Sequence, residues 1–142
     1  MAARRRGSAV TMENRYDFAF DHRYARLLGL LGIRPDTSYV LVTDDALRVR
    51  FGRWEVATPL SNVTDVRVTG PYTAIKAIGV RMSLADRGLT FGSGTREGVC
   101  VRFREPVRGS DPLGLMRHPG LTVTVADCAG LADRLRRHAT SG

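Results

Sequence analysis

The chain has 142 residues, enough for one domain with a single core. Its 43% hydrophobic and 25% charged content is ordinary for a globular protein, and no apolar run approaches the ~20 residues that span a bilayer. The formal net charge is +8, but the four arginines and one Glu of residues 1–15 supply +3 of it, and residues 16–125 hold 15 basic against 11 acidic side chains.

The body of the protein is therefore only mildly basic, with mixed charges. A nucleic-acid footprint is expected to concentrate on one element or face, so weak nucleic-acid binding ranks only as an alternative. Of the 22 basic residues, Lys76 is the single lysine, a skew that fits a GC-rich genome better than selection for phosphate. Cys100 and Cys128 lack metal-ligand spacing, and His22, His118 and His138 lie in separate segments. Neither a metal nor a cofactor is expected. No nucleophile elbow is present, Cys100 with His118 is the only conceivable Cys–His couple, and the expectation is a protein that is not an enzyme. No apolar segment follows the basic cluster at the start, so the expected location is the cytoplasm.

Residues 1–14 read as a disordered basic tail and residues 15–139 as one domain. In "RYDFAF", Tyr16, Phe18 and Phe20 alternate with polar or small residues, the mark of a half-buried strand. A short helix follows, with Asp21 as N-cap and Tyr24, Leu27, Leu28 and Leu31 on one face. "TSYVLVT", "ALRVRF" and "WEVATP" read as strands. Gly52-Arg53 suits a two-residue hairpin turn, which sets Phe51 opposite Trp54, Arg50 opposite Glu55 and Val49 opposite Val56. That register predicts an Arg50–Glu55 ion pair on the outer face. Pro59 and Asn62 mark a break, where the Asn62 amide is expected to tie down the turn locally. "VTDVRVT" reads as a strand with Val66 and Val68 on one face, and residues 70–88 show no clean strand pattern apart from one helical turn between Tyr72 and Ile78. "LTF", "VCVRF" and "LTVTV" are further strands, and "FGSGTREG" reads as a flexible hairpin loop. The terminal helix has Asp127 as N-cap and a stripe of Cys128, Leu131, Ala132 and Leu135, with arginines near its end suiting the helix dipole.

A curved sheet of about seven antiparallel strands, capped by a C-terminal helix and with a short helix after the first strand, is the plan of a pleckstrin-homology-like (PH-like) split barrel. The rhythm of "YVLVTDDALRVRFGRWEVATPLSNVTDVRV" resembles bacterial PH-like domains. "RPDTS", "TGPY", "RMSLADRGLTFG", "GVCVRFREPV" and "RHPGLTVTV" resemble a family of uncharacterised actinobacterial proteins. That resemblance implies a fold and carries no catalytic or ligand-binding residues over to this chain.

The long connections 70–88 and 105–120 are the candidate functional surface, since long ordered loops in compact domains often bind. They offer Lys76, Arg81, Arg108, Arg117 and His118, beside Arg102 and Arg104 on the adjoining strand. If the loops meet, these side chains form a basic concavity for a phosphate, a carboxylate or a lipid headgroup. Otherwise Arg102 and Arg104 pair with Glu105, Asp86 or Asp65. The expected function is a non-catalytic binding module for a protein partner or an anionic ligand, with a membrane surface as one source of the latter. The alternatives are an assembly protein that oligomerises through sheet edges and an enzyme of unrecognised type.

Overall fold

The Gly52-Arg53 turn organises the first half of the chain. Gly52 takes φ +65°, as the first central position of such a turn requires. The strands on either side, β3 (Ala46–Phe51) and β4 (Trp54–Pro59), pair as Phe51 to Trp54, Arg50 to Glu55 and Val49 to Val56. Phe51, Val49 and Val56 are buried, and Trp54 packs half-buried at the margin of the same core. The predicted Arg50–Glu55 ion pair does not form: Arg50 Nε donates instead to the Gly52 carbonyl at 3.0 Å, closing onto its own turn.

The computed structural model describes residues 14–72, 78–82, 87–109 and 116–141. The tail expected over residues 1–14 falls almost wholly outside them, and so does most of the helical turn expected between Tyr72 and Ile78. Two sheets are present. The first has the order β1 (Asn14–Asp17), β2 (Ser38–Val42), β3, β4, all antiparallel. The second has the order β5 (Val63–Thr69), β8 (Gly98–Val107), β9 (His118–Val123), β7 (Leu89–Gly92), β6 (Gly79–Met82). The described residues thus form nine strands, mainly β, in two sheets that do not close into a barrel.

The second sheet departs from the expected all-antiparallel pattern. β9 returns antiparallel to β8 but inserts between β8 and β7, and it runs parallel to β7. The Gly-rich segment after β7 is consequently not a hairpin loop; it crosses the end of β9. Ser93 is buried there, where its N–H donates to Thr124 Oγ1 at 2.8 Å and its hydroxyl to the Ala19 carbonyl at 2.7 Å. Ala19 in turn donates its N–H to the Thr124 carbonyl, and Phe18 bridges Val125. This satisfied polar knot joins β1 of the first sheet to the end of β9 in the second.

The core lies between the sheets. Phe51 of one sheet stacks on Phe91 of the other, with ring centroids 5.2 Å apart and planes within 9°, and Phe18 packs on Phe51 at 4.8 Å. The terminal helix α2 (Cys128–Ser141) lays Cys128, Leu131, Ala132 and Leu135 into that core, as its stripe predicts. Asp127 caps it by accepting from the Gly130 N–H. Its arginines do more than suit the dipole. Arg136 donates twice to the Val66 carbonyl on edge strand β5, and Arg134 donates to the Thr43 carbonyl in the β2–β3 turn. The helix therefore fastens to both sheets and covers the β5 edge. Val68, near the far end of that edge, is left 41% exposed.

The early helix α1 (His22–Leu30) forms where expected, with the Asp21 carboxylate accepting from Arg23 N–H at 3.0 Å. Its faces differ from expectation. Tyr24 and Leu28 turn inward, and Ile33 just beyond the helix is fully buried. Leu27, Leu30 and Leu31 face out. The periodicity merged two adjacent stripes of one short helix, and the sheet accepts only one of them. No helix among the described residues is long and apolar enough to cross a membrane.

Candidate functional site

The break between β4 and β5 is a 3₁₀ turn, Leu60–Asn62, in which Leu60 is buried and Asn62 points across to β8. Asn62 Oδ1 accepts from Glu105 N–H at 2.8 Å, and its Nδ2 donates to the Glu105 carbonyl at 2.9 Å and to Thr58 Oγ1 at 3.0 Å. The amide does tie down its own turn, but it also clamps that turn to a strand 43 residues away. Arg104 Nη1 adds a bond to the Ser61 carbonyl at 3.2 Å.

Between these two walls runs a groove of about 560 Å³. Thr58, Ser61 and Asn62 line one side; Arg104, Glu105 and Arg108 line the other. Arg108 stands one residue past Val107, which pairs with His118 on β9. Arg117 immediately precedes β9, so each segment carries an arginine just beyond the Val107–His118 pair. Both are exposed, and neither side chain makes a hydrogen bond or ion pair among the described residues.

The remaining expected residues go elsewhere. Arg81 lies on β6, where its Nε donates to the Ile78 carbonyl at 2.9 Å. The registers align Arg81, Thr90, Thr122, Cys100 and Arg67 in one row across the outer face of the second sheet. Arg102 shares that face and borders a small cleft of about 160 Å³ with Cys100 and Thr122. Its cross-strand neighbour Asp65 accepts from Arg67 at 3.0 Å, so the expected Arg102–Asp65 pair is not made. Lys76 and Asp86 fall outside the described residues.

His118 is not on the surface at all. Its ring is fully buried, and Nδ1 donates to the Arg87 carbonyl at 2.7 Å. Arg87 takes φ +62°, a left-handed conformation that costs a non-glycine residue about 1–2 kcal/mol. The histidine bond helps to hold that turn. The register is irregular beside the ring: β8 advances from Arg102 to Val107 while β9 moves only from Gly120 to His118.

Elsewhere, burial pushes the Cys128 thiol up to about 11, and the Arg23 guanidinium beside Asp21 holds that carboxyl down at about 2. Asp21 also borders a second concavity of about 470 Å³ between the start of α1 and residues 94–97. There His22, Arg96 and Glu97 present both signs of charge. Among the described residues no group of three or more His, Cys, Asp or Glu side chains is placed to hold a metal ion.

The sequence singled out Arg104 and Arg108 but missed the far wall of their groove, Thr58 and Ser61. The only local signal there was a Pro-flanked break containing Asn62, and nothing in it identified residue 105 as its partner. No family model, curated protein or solved structure matches this chain.

Proposed function

We propose that the chain is a non-catalytic PH-like module that holds an anionic group, a phosphate or the carboxylate of a protein partner, in the groove between the β4–β5 turn and β8. The observation that carries the reading is the placement of Arg104 and Arg108 on one groove wall whose backbone is already fixed by Asn62. Arg104 spends one N–H on the Ser61 carbonyl, and its guanidinium has further donors for an anion. Arg108 adds a second cation, and Arg117 lies just beyond the same Val107–His118 pair. A wall fixed before binding lowers the ordering cost of capture. Two arginines reaching one anion give charge-assisted bonds, stronger than neutral ones. The two-sheet architecture with a helix fastened along one edge supports the PH-like reading.

The test is titration with inorganic pyrophosphate and, separately, citrate, followed by amide chemical shifts. The expected result is salt-sensitive shifts centred on residues 58–62 and 104–108, with affinity falling at least ten-fold in the Arg104→Gln/Arg108→Gln double variant. Shifts that appear elsewhere, or that the double variant leaves unchanged, refute the groove as the site.

A further inference from the structure

A second surface lies apart from the groove. Leu27, Leu30 and Leu31 stand on the outward side of α1 and its C-terminal residue, with exposures of 58%, 81% and 49%. They form one contiguous apolar patch on the order of 300 Å², in the range where a patch on a monomer is often functional. The body does not use it: the helix is held by Leu28 and Tyr24 on its other side and by Ile33 beyond its end. The tip of the β3–β4 hairpin abuts the same end of the helix. A Cβ on Gly52 would lie 2.8 Å from Ile33 Cγ1, and the Gly52 N–H donates to the Thr37 carbonyl. Arg53 follows Gly52 at that tip and is exposed, as are Arg26 within α1 and Arg34 three residues past Leu31. Among the described residues only Arg34 of these three cations has an acidic partner, Asp36, at a loose 3.9 Å on the surface.

We propose that this end of the molecule docks on an anionic lipid bilayer, with Leu27, Leu30 and Leu31 entering the headgroup boundary and Arg26, Arg34 and Arg53 meeting the lipid phosphates. Charge complementarity selects this occupant. An apolar face rimmed by cations is the pattern of a helix lying in a membrane interface. A second copy of this chain would bring the same cationic rim against itself, on a protein of formal charge +8. An anionic surface gains from that charge, by roughly a factor of five in partition for each arginine near it. The helix lies flat on the surface and does not cross it: α1 has nine residues.

The inference does not depend on the groove, and its test separates the two. The protein is sedimented with vesicles of phosphatidylcholine alone and of phosphatidylcholine with phosphatidylglycerol. Binding is expected only to the anionic vesicles, weakening as salt rises. Leu30→Ser should lower partition at least ten-fold; its side chain is so exposed that the fold has little to lose, and circular dichroism checks this. Arg26→Gln should weaken binding about five-fold. The Arg104→Gln/Arg108→Gln variant should bind as the wild type does. Trp54, the single tryptophan, follows the tip at residue 54, so its emission should be quenched by brominated lipid. Absence of sedimentation with anionic vesicles overturns the proposal. So does binding that Leu30→Ser leaves intact, and so does a dimer that Leu30→Ser abolishes in a protein that ignores vesicles.

Discussion

Replacing Asn62 by Ala removes the two bonds that clamp the β4–β5 turn to β8 and the one that ties it to Thr58 of β4. Each bond contributes about 1 kcal/mol net. The two to Glu105 lie at an exposed position, where water replaces part of what is lost, whereas the bond to Thr58 is half-buried. The expected cost is about 2 kcal/mol, a substantial share of the roughly 5–15 kcal/mol that stabilises a domain. In urea, with a slope of about 2 kcal/mol/M, the midpoint should fall by about 1 M. Hydrogen exchange at the Glu105 amide should quicken in the variant. Asn62→Asp sharpens the test. It keeps an acceptor for the Glu105 N–H, but at neutral pH it sets a carboxylate against the Glu105 carbonyl, which disfavours the charged form and raises the folded-state pKa. The penalty is then full above the raised folded-state pKa, shrinks as pH falls toward the pKa of the unfolded chain, and is gone below it, where the acid is a donor. Relative to the wild type, Asn62→Asp should regain stability on acidification. An Asn62→Ala protein within about 0.5 kcal/mol of wild type, with Glu105 exchange unchanged, would refute the clamp.

Arg136→Met keeps the apolar stem but loses two charge-assisted bonds to the Val66 carbonyl, and should destabilise the fold by about 1–3 kcal/mol in the same urea assay. A native-state thiol titration near pH 8 should find one reactive cysteine, the partly exposed Cys100, with Cys128 reacting only on unfolding. Because burial raises the Cys128 thiol from 9.0 to about 11, its neutral form is favoured in the folded state. Its contribution is complete below pH 9 and is lost as pH rises toward 11, and Cys128→Ala should remove that part of the alkaline decline.

Local pattern carried far in some regions of this chain. The β3–β4 register was legible because a turn with one permitted geometry and the alternation of Val49, Phe51, Trp54 and Val56 agree. The α2 stripe was legible because four residues at helical spacing all enter the core. Elsewhere the deciding contacts lie far apart in sequence. Nothing near β9 marks its insertion between β8 and β7, and with that insertion both the parallel pair and the crossing of Ser93 follow. β6 is short, and its Arg81 and Gly79 give no alternation to read. His118 was misplaced because it was read as part of the exposed connection 105–120, whereas β9 begins at His118 and its ring is buried against the Arg87 carbonyl. In α1 the spacing of Leu27, Leu28 and Leu31 fits one face, and only the packing of Leu28 and Ile33 against the body decides which leucines that face excludes.

The arginines show why charge alone could not locate a site. Arg104, Arg134 and Arg136 donate to backbone carbonyls that the sheets leave open at turns and an edge. Arg15, Arg23 and Arg67 pair with an aspartate two residues away, exposed contacts that contribute little to stability. The carboxylates beside Arg15, Arg23 and Arg67 offset their charge, so counting these three inflates any estimate of ligand affinity, whereas Arg104, bonded to a neutral carbonyl, keeps its charge and further donors. Arg26, Arg48, Arg53, Arg87, Arg96, Arg102, Arg108 and Arg117 are exposed without such partners among the described residues. Of these, Arg108 joins Arg104 in lining the groove, and Arg26 stands on α1 among its exposed leucines. In each place the cations adjoin something a bare cation lacks: a wall fixed by Asn62 in one case, an uncovered apolar face in the other. An anion gains most where such a neighbour has already met the cost of ordering or offers burial of its own. The groove suits a compact anionic group, and the α1 end suits an extended anionic surface. The two can therefore act independently, which is why the groove variant and the leucine variant are expected to fail in different assays.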